Sequence, residues 1–175
     1  MKNLLICMVL TKERLFMNKE TIKQLKETEI ILLDIDDNEG KEFATWTKNK
    51  AYIKFKKQMP NFAITNNYIY WCDLGINIGS EQNKIRPVLI SKTKKESQIC
   101  SIIPLTSKRM NDTRWYHIDL ENQNSTALIE QLRNVSKLRI INPLRNKGNL
   151  VKITLKDWEK INKAMKKYYS LTSWR

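Results

Sequence analysis

Residues 68–107 read YIYWCDLGINIGSEQNKIRPVLISKTKKESQICSIIPLTS, and this stretch decides the fold. YIYWCDL (68–74) is rich in aromatic and β-branched side chains, which suit a pleated, half-buried strand. RPVLISK (86–92) and QICSIIPL (98–105) are two more strands, joined by polar KTKKES. Gly75 and Gly79 punctuate the first connection, and Pro87 fixes the backbone as it enters the second strand. Working outward, WYHIDL (115–120) alternates with a period of two, and TALIEQL (126–132) reads as a further strand. From Thr154 the period becomes helical: Leu155, Trp158, Ile161, Met165 and Tyr168 form one stripe, and lysines cover the rest. Thr154 and Asp157 suit the N-terminal cap of that helix. Short strands in series with helices predict a mainly β, α+β chain: a small barrel-like sheet with a packed C-terminal helix.

Upstream of residue 68 the pattern differs. Residues 18–33 read as a helix with Ile22 and Leu25 near helical spacing. DIDDNEG (34–40) reads as an acidic loop; its length and lack of a terminal Glu do not fit a calcium loop, so a solvated turn is the reading. Residues 41–57 read as a second helix, with Phe43, Trp46, Lys50 and Ile53 on one face. Pro60 and Asn66-Asn67 mark a boundary. The division expected is a helical N-terminal extension, 1–65, and a β domain, 66–175. The opening MKNLLICMVL is too short and lacks the small-residue cleavage site of a signal peptide, and no apolar run is long enough to span a bilayer. The chain therefore reads as cytoplasmic, without a membrane partner. Met17, ahead of the helix-forming NKETIKQLKE, is a second candidate start.

Charge narrows the partners. The formal net charge is +14, of which residues 1–65 hold only +3 and residues 66–175 hold +11. A basic excess concentrated in the β part points to an anionic partner, nucleic acid above all; the bland alternative is a set of solvated lysines. The three cysteines, Cys7, Cys72 and Cys100, are odd in number and lie far apart in apolar stretches, as reduced, buried thiols do. No Cys/His pair has zinc spacing, so neither a metal site nor a cofactor is expected. The only histidine, His117, sits on a strand and reads as structural.

A carboxylate, a guanidinium and a hydroxyl are placed by the strand ends so that they can meet at one rim of the sheet. Glu81 lies in the first connection, Arg86 opens the second strand, and Thr106 ends the third, followed by Ser107, Lys108 and Arg109. Such a set suits RNA cleavage, because the substrate's own 2′-hydroxyl is the nucleophile. The protein then needs a base, positive charge on the phosphorane and a hydrogen-bond donor. Glu81 suits the base, Arg86 the charge, and Thr106 a hydrogen bond to a non-bridging oxygen. Taken alone, the residues favour a plainer account: Glu81 and Arg86 as a surface ion pair across a loop, and Pro87 as the first residue of a strand.

Resemblance tips that balance. The stretch resembles the PemK/MazF toxin family in IYWCDL, GSEQ, RPVLI and IIPLTS, in that order, and ALIEQLRNVSKLRI (127–140) resembles a later family segment with Glu130, Gln131, Arg133 and Arg139. The resemblance covers about residues 66–170. It implies an SH3-like barrel of the MazF/CcdB type, usually a homodimer. It also implies sequence-specific cleavage of single-stranded RNA, with Arg86 and Thr106 catalytic and Glu81 as base. Ser80, Gln82, Ser107, Lys108, Arg114, Glu130 and Gln131 are the expected RNA-binding residues, and an acidic antitoxin protein the expected partner. Asn66-Asn67 stand where the family usually has a Gly-acidic pair. Two other classes compete: a non-catalytic, CcdB-like gyrase-binding toxin, and a DNA-binding autoregulator, for which no recognition helix is evident. Trp115 and Tyr116 are candidates for base stacking, but alternation along a strand requires one of them to face the core.

Overall fold

The structure, a computed structural model, describes residues 19–170. Cys7 and the Met17 start lie outside them. The chain falls into two compact units that divide between Thr47 and Lys48. Before the division, α1 (Lys19–Leu33) is followed by the first part of α2 (Asp37–Phe55). The expected acidic loop shrinks to three residues, because α2 starts at Asp37. Asp36 Oδ1 accepts the backbone N–H of Asn38 and Glu39, so a carboxylate read as loop serves as a helix cap. Gly40 is the one buried residue of α2: a Cβ there would meet the Leu32 carbonyl at 3.1 Å. None of the residues of α1 is buried.

The second unit is built on an antiparallel sheet. Its long strands are β1 (Ile69–Asp73), β2 (Ile85–Thr93) and β3 (Ile99–Thr106), paired in sequence order. Shorter strands complete it: β4 (His117–Asp119), β5 (Thr126–Leu128), β6 (Arg133–Ser136) and β7 (Ile140–Pro143). Their order is β4-β5-β3-β2-β1-β7. β3 carries β2 on one edge and shares the other between β6, opposite Ile99–Ile102, and β5, opposite Leu105 and Thr106. Strands β8 (Arg145–Asn146) and β9 (Asn149–Leu150) form a separate small hairpin, and α3 (Leu155–Tyr169) closes the described chain.

Both faces of the sheet are covered, which is why β1 to β3 are nearly continuous apolar runs. Ile69, Leu89, Ile103 and Leu105 pack with Ile161 and Ala164 of α3. The alternate residues Tyr70, Cys72, Val88, Ile90, Cys100 and Ile102 form the other core, against which Phe62 and Ile64 pack. The α3 cap is a complete capping box: Thr154 Oγ1 accepts from Asp157 N–H, and Asp157 Oδ2 accepts from Thr154 N–H, each at 3.0 Å. Asn67 adopts φ +69, a left-handed turn that asparagine tolerates, so it performs the backbone service of a glycine.

Two sequence expectations need correction. The strand read over 126–132 stops at Leu128; Ile129–Gln131 form a single 3-10 turn, and a new strand starts at Arg133. The strand read over 115–120 is paired only from His117 to Asp119. The α+β class, the antiparallel sheet and the terminal helices are as expected.

Candidate functional site

Strand register brings Arg86 and Thr106 to one rim. Leu89 pairs with Ile103 and Val88 with Pro104; the same register continued two residues sets Arg86 opposite Thr106. Both belong to the face that carries Val88 and Ile102, since side chains two apart share a face. Arg86 also pairs with Cys72, and its Nε donates to the Asn83 carbonyl at 2.8 Å, which limits the swing of the guanidinium. Thr106 is 6% exposed, and its Oγ1 accepts Lys108 N–H at 3.2 Å, leaving the hydroxyl hydrogen to donate. Ser107, Lys108 and Arg109 are exposed beyond the strand end.

Two more arginines face this rim. Arg139 Nη1 donates to the carbonyls of Asp73 and Leu74, at 3.2 and 3.1 Å, holding the end of β1. Arg133 starts β6 opposite Ile102 and reaches the β1–β2 loop, where Nη2 donates to the Gln82 carbonyl and Nη1 lies 3.9 Å from Glu81 Oε2. Burial pulls the Arg133 guanidinium down from its ordinary value, opposed by the Glu81 charge. The sequence shows both arginines only as part of a motif; the pairing of Arg133 with Ile102, which sets it on this face, is a feature of the fold.

The loop with Glu81 is held by the 3-10 turn. Gln131 Oε1 accepts Gln82 N–H at 3.2 Å, and Gln131 Nε2 donates to the Ser80 carbonyl at 3.4 Å. Asn77 Nδ2 bridges the carbonyls of Leu74 and Gln82 across the loop's base. Gln82 Oε1 is buried with no partner. Glu81 itself keeps 59% of its side chain exposed, so its carboxylate meets solvent at the rim.

The remaining candidates lie on the other side of the turn. Glu130 Oε1 lies 3.0 Å from His117 Nε2, and His117 is 8% exposed. His117 Nδ1 is 3.0 Å from Asp112 Oδ2 but off the direction of a hydrogen bond. Asp112 also accepts Arg114 N–H at 3.0 Å and pairs with its guanidinium at 3.4 Å. The Arg114 backbone N–H, followed by the His117 ring, holds the Asp112 carboxyl below its usual range. Tyr116 packs on the core while Trp115 is 45% exposed, with Lys167 Nζ 4.1 Å above its ring.

Among the described residues no group of three His, Cys, Asp or Glu is arranged to hold a metal ion, and no helix is long and apolar enough to cross a membrane. Cys72 and Cys100 are free thiols inside the sheet's core. Burial pushes Cys72 up to about 12 and Cys100 to about 11.

Three guanidinium groups, a hydroxyl and a carboxylate thus gather at one rim of an antiparallel sheet in a small basic α+β domain. Residues 66–169 match the family model described as a PemK-like, MazF-like toxin of type II toxin-antitoxin systems, and the chain belongs to that family. Among solved structures, it is similar to MazF from Deinococcus radiodurans, with a TM-score of 0.52 at 13% identity over 63% of this chain and 100% of that one. It also matches an endoribonuclease in complex with its cognate antitoxin from a mycobacterial species, with a TM-score of 0.48 at 18% identity over 65% of this chain and 100% of that one. No curated protein matches the chain.

Proposed function

We propose that this chain is a sequence-specific endoribonuclease acting on single-stranded RNA, the toxin of its pair, with residues 66–175 as the toxin domain and 1–65 as an extension. The observation that carries the reading is the register that sets Arg86 opposite Thr106, with Arg133 on the same face and Glu81 beside it. In the proposed reaction Glu81 takes the proton of the 2′-hydroxyl, and O2′ forms a bond to phosphorus. The P–O5′ bond then breaks, giving a cyclic phosphate and a 5′-hydroxyl end. Arg86 holds the charge of the phosphorane and hydrogen-bonds the leaving oxygen, which solvent finally protonates; Thr106 donates to a non-bridging oxygen. No metal is required, because the substrate brings its own nucleophile. Ser80, Gln82, Ser107, Lys108 and Arg114 are proposed to contact RNA; the side chains of Glu130 and Gln131 are proposed to act through the turn they brace.

The proposed assembly is a homodimer with a basic groove at its interface, silenced by an acidic antitoxin that occupies the groove. An acidic segment that folds on binding complements the +11 charge of residues 66–175.

The test is cleavage of single-stranded RNA by purified protein in excess chelator. Cleavage is expected, with loss in Arg86→Ala and incomplete rescue in Arg86→Lys, because the planar fork is gone. RNA methylated at the scissile 2′-oxygen is expected to stay whole. Cutting of that substrate, or full activity in Arg86→Ala, overturns the assignment. Sedimentation that finds only monomer at micromolar concentration overturns the dimer.

A further inference from the structure

At the Thr93 end of β2, far from the rim, lies a pocket of about 610 Å3. Met59, Phe62 and Ile64 line one side; Thr93, Lys95 and Lys137 line the other. The apolar wall is fixed in place. Phe62 stacks on Tyr70 with ring centroids 6.2 Å apart, and the Tyr70 hydroxyl accepts Thr65 N–H and donates to the Ala63 carbonyl, each at 3.0 Å. Asn66 Oδ1 accepts Thr93 N–H at 2.7 Å and ties the wall to the strand end.

Lys137 is the unusual member. The residue is 8% exposed, and its Nζ makes one hydrogen bond, to the Lys94 carbonyl at 2.7 Å. Among the described residues no carboxylate pairs with it. An ammonium has three donors, so two remain open. Buried charges are ordinarily paired, since leaving one unpaired is costly. Thr93, on the same lining, has an Oγ1 that is also buried without a partner. None of the pocket's lining residues is acidic.

We propose that this pocket binds a carboxylate carried beside an apolar side chain, as in an acidic, leucine-bearing segment of a partner protein. Lys137 receives the carboxylate, and Thr93 holds the strand end beside it through its backbone N–H. Lys95 adds charge at the mouth, and the Met59–Ile64 wall takes the apolar group. RNA fits less well, because its phosphates bring no aliphatic group for the Met59–Ile64 wall. The inference rests on the proposal above that the partner is an acidic protein, and it gives that partner a foothold separate from the active rim. Arg86 and Thr93 are seven residues apart on one strand, so the two regions are roughly 20 Å apart at about 3.3 Å per residue. Residues 59–65 lie outside the family match, so the apolar wall is supplied by this chain's own extension.

The probe is N-acetyl-leucinate, with N-acetyl-leucinamide as uncharged control. Binding is read by NMR from the Met59 methyl, assigned by Met59→Leu, and from the amides of Thr65 and Lys95. The carboxylate is expected to shift these signals saturably, and the amide to bind at least tenfold more weakly. Lys137→Gln keeps a donor for the Lys94 carbonyl and is expected to lose at least tenfold. Should that variant not fold, Met59→Asp at a 45% exposed position serves instead, repelling the carboxylate to the same extent. The proposal is overturned by absence of saturation, by equal binding of the amide, or by oligouridylate displacing the probe from this pocket. RNA cleavage separates the two readings: Lys137→Gln is expected to cut RNA at the wild-type rate. Wild-type protein that cuts RNA and ignores the probe sinks the pocket alone; protein that binds the probe and leaves RNA whole sinks the nuclease reading alone.

Discussion

Glu81 and Arg133 meet across the top of the sheet, carboxylate to guanidinium, at 3.9 Å. They lie in different parts of the chain, so the contact ties the β1–β2 loop to the start of β6. Because the other terminal nitrogen of Arg133 holds the Gln82 carbonyl, the loop is gripped at two consecutive residues. Arg133→Gln is expected to free the loop. A misplacement of about 1 Å costs on the order of a hundredfold in turnover, and kcat is expected to fall more than KM rises. Hydrogen exchange at Gly79–Lys84 is expected to quicken. Unchanged exchange together with unchanged cleavage would show that the grip is idle.

His117 sets the far side of the turn. Its Nε2 contact with Glu130 is shielded from solvent, with 3% of the imidazole exposed. His117→Phe keeps a planar ring and removes the partner, so the Glu130 carboxylate is left without it. The expected loss is about 1–3 kcal/mol of stability, the cost of stranding a buried acceptor. Chemical denaturation measures it, and Glu130→Gln in the same background is expected to recover part of the loss. An unchanged midpoint in His117→Phe would refute the contact.

The two buried thiols predict an alkaline limit. Their folded pKa values, about 12 and about 11, exceed the ordinary value of 9.0. Only the unfolded chain releases these protons between pH 9 and 11, so stability is intact below pH 9 and falls above it. The expected drop at pH 11 is on the order of 3 kcal/mol for Cys72, at about 1.4 kcal/mol per pH unit. Comparing Cys72→Ala with wild type across pH 8 to 11 isolates the term. Native protein at pH 8 is expected to leave Cys72 and Cys100 unmodified by iodoacetamide; rapid labelling of either would contradict their burial.

Asp157 does more than cap α3. It is 1% exposed, and its Oδ1 also accepts Glu121 N–H at 3.0 Å, joining the helix to the loop after β4. Thr154→Ala is expected to cost about 1 kcal/mol, the usual value of an N-cap. Asp157→Ala strands two donors and is expected to cost about 2–3 kcal/mol. Equal losses in the two variants would mean that the Glu121 contact contributes nothing.

The long strands were legible because they are buried on both faces, so composition alone marked them. Helix α3 was legible from its stripe, and its cap from Thr154 and Asp157. The turn at Ile129–Gln131 was not, since ALIEQL continues an apolar alternation that says nothing about where hydrogen bonding stops. Strands β7 to β9 have two to four residues each, too few for a period to show. Asp36 read as loop because a cap and a turn demand the same side chain. At the site, Arg86 and Thr106 were legible as ends of adjacent strands. The bracing roles of Gln131 and Arg133 were not, because they depend on contacts about fifty positions apart in the chain.

The shared edge of β3 bears on how such a protein changes over generations. Thr106 sits inside the ladder, opposite Thr126, while the next residue, Ser107, is already in solvent. The loop beyond is still tied to the sheet, since Lys108 N–H reaches the Thr106 hydroxyl oxygen and Asn111 N–H reaches Asp119, so the exposed side chains of Ser107, Lys108 and Arg109 are the ones that can be exchanged without shifting that hydroxyl. On the proposed reading, the surface offered to RNA is free to drift at those three side chains while the Thr106 hydroxyl stays anchored.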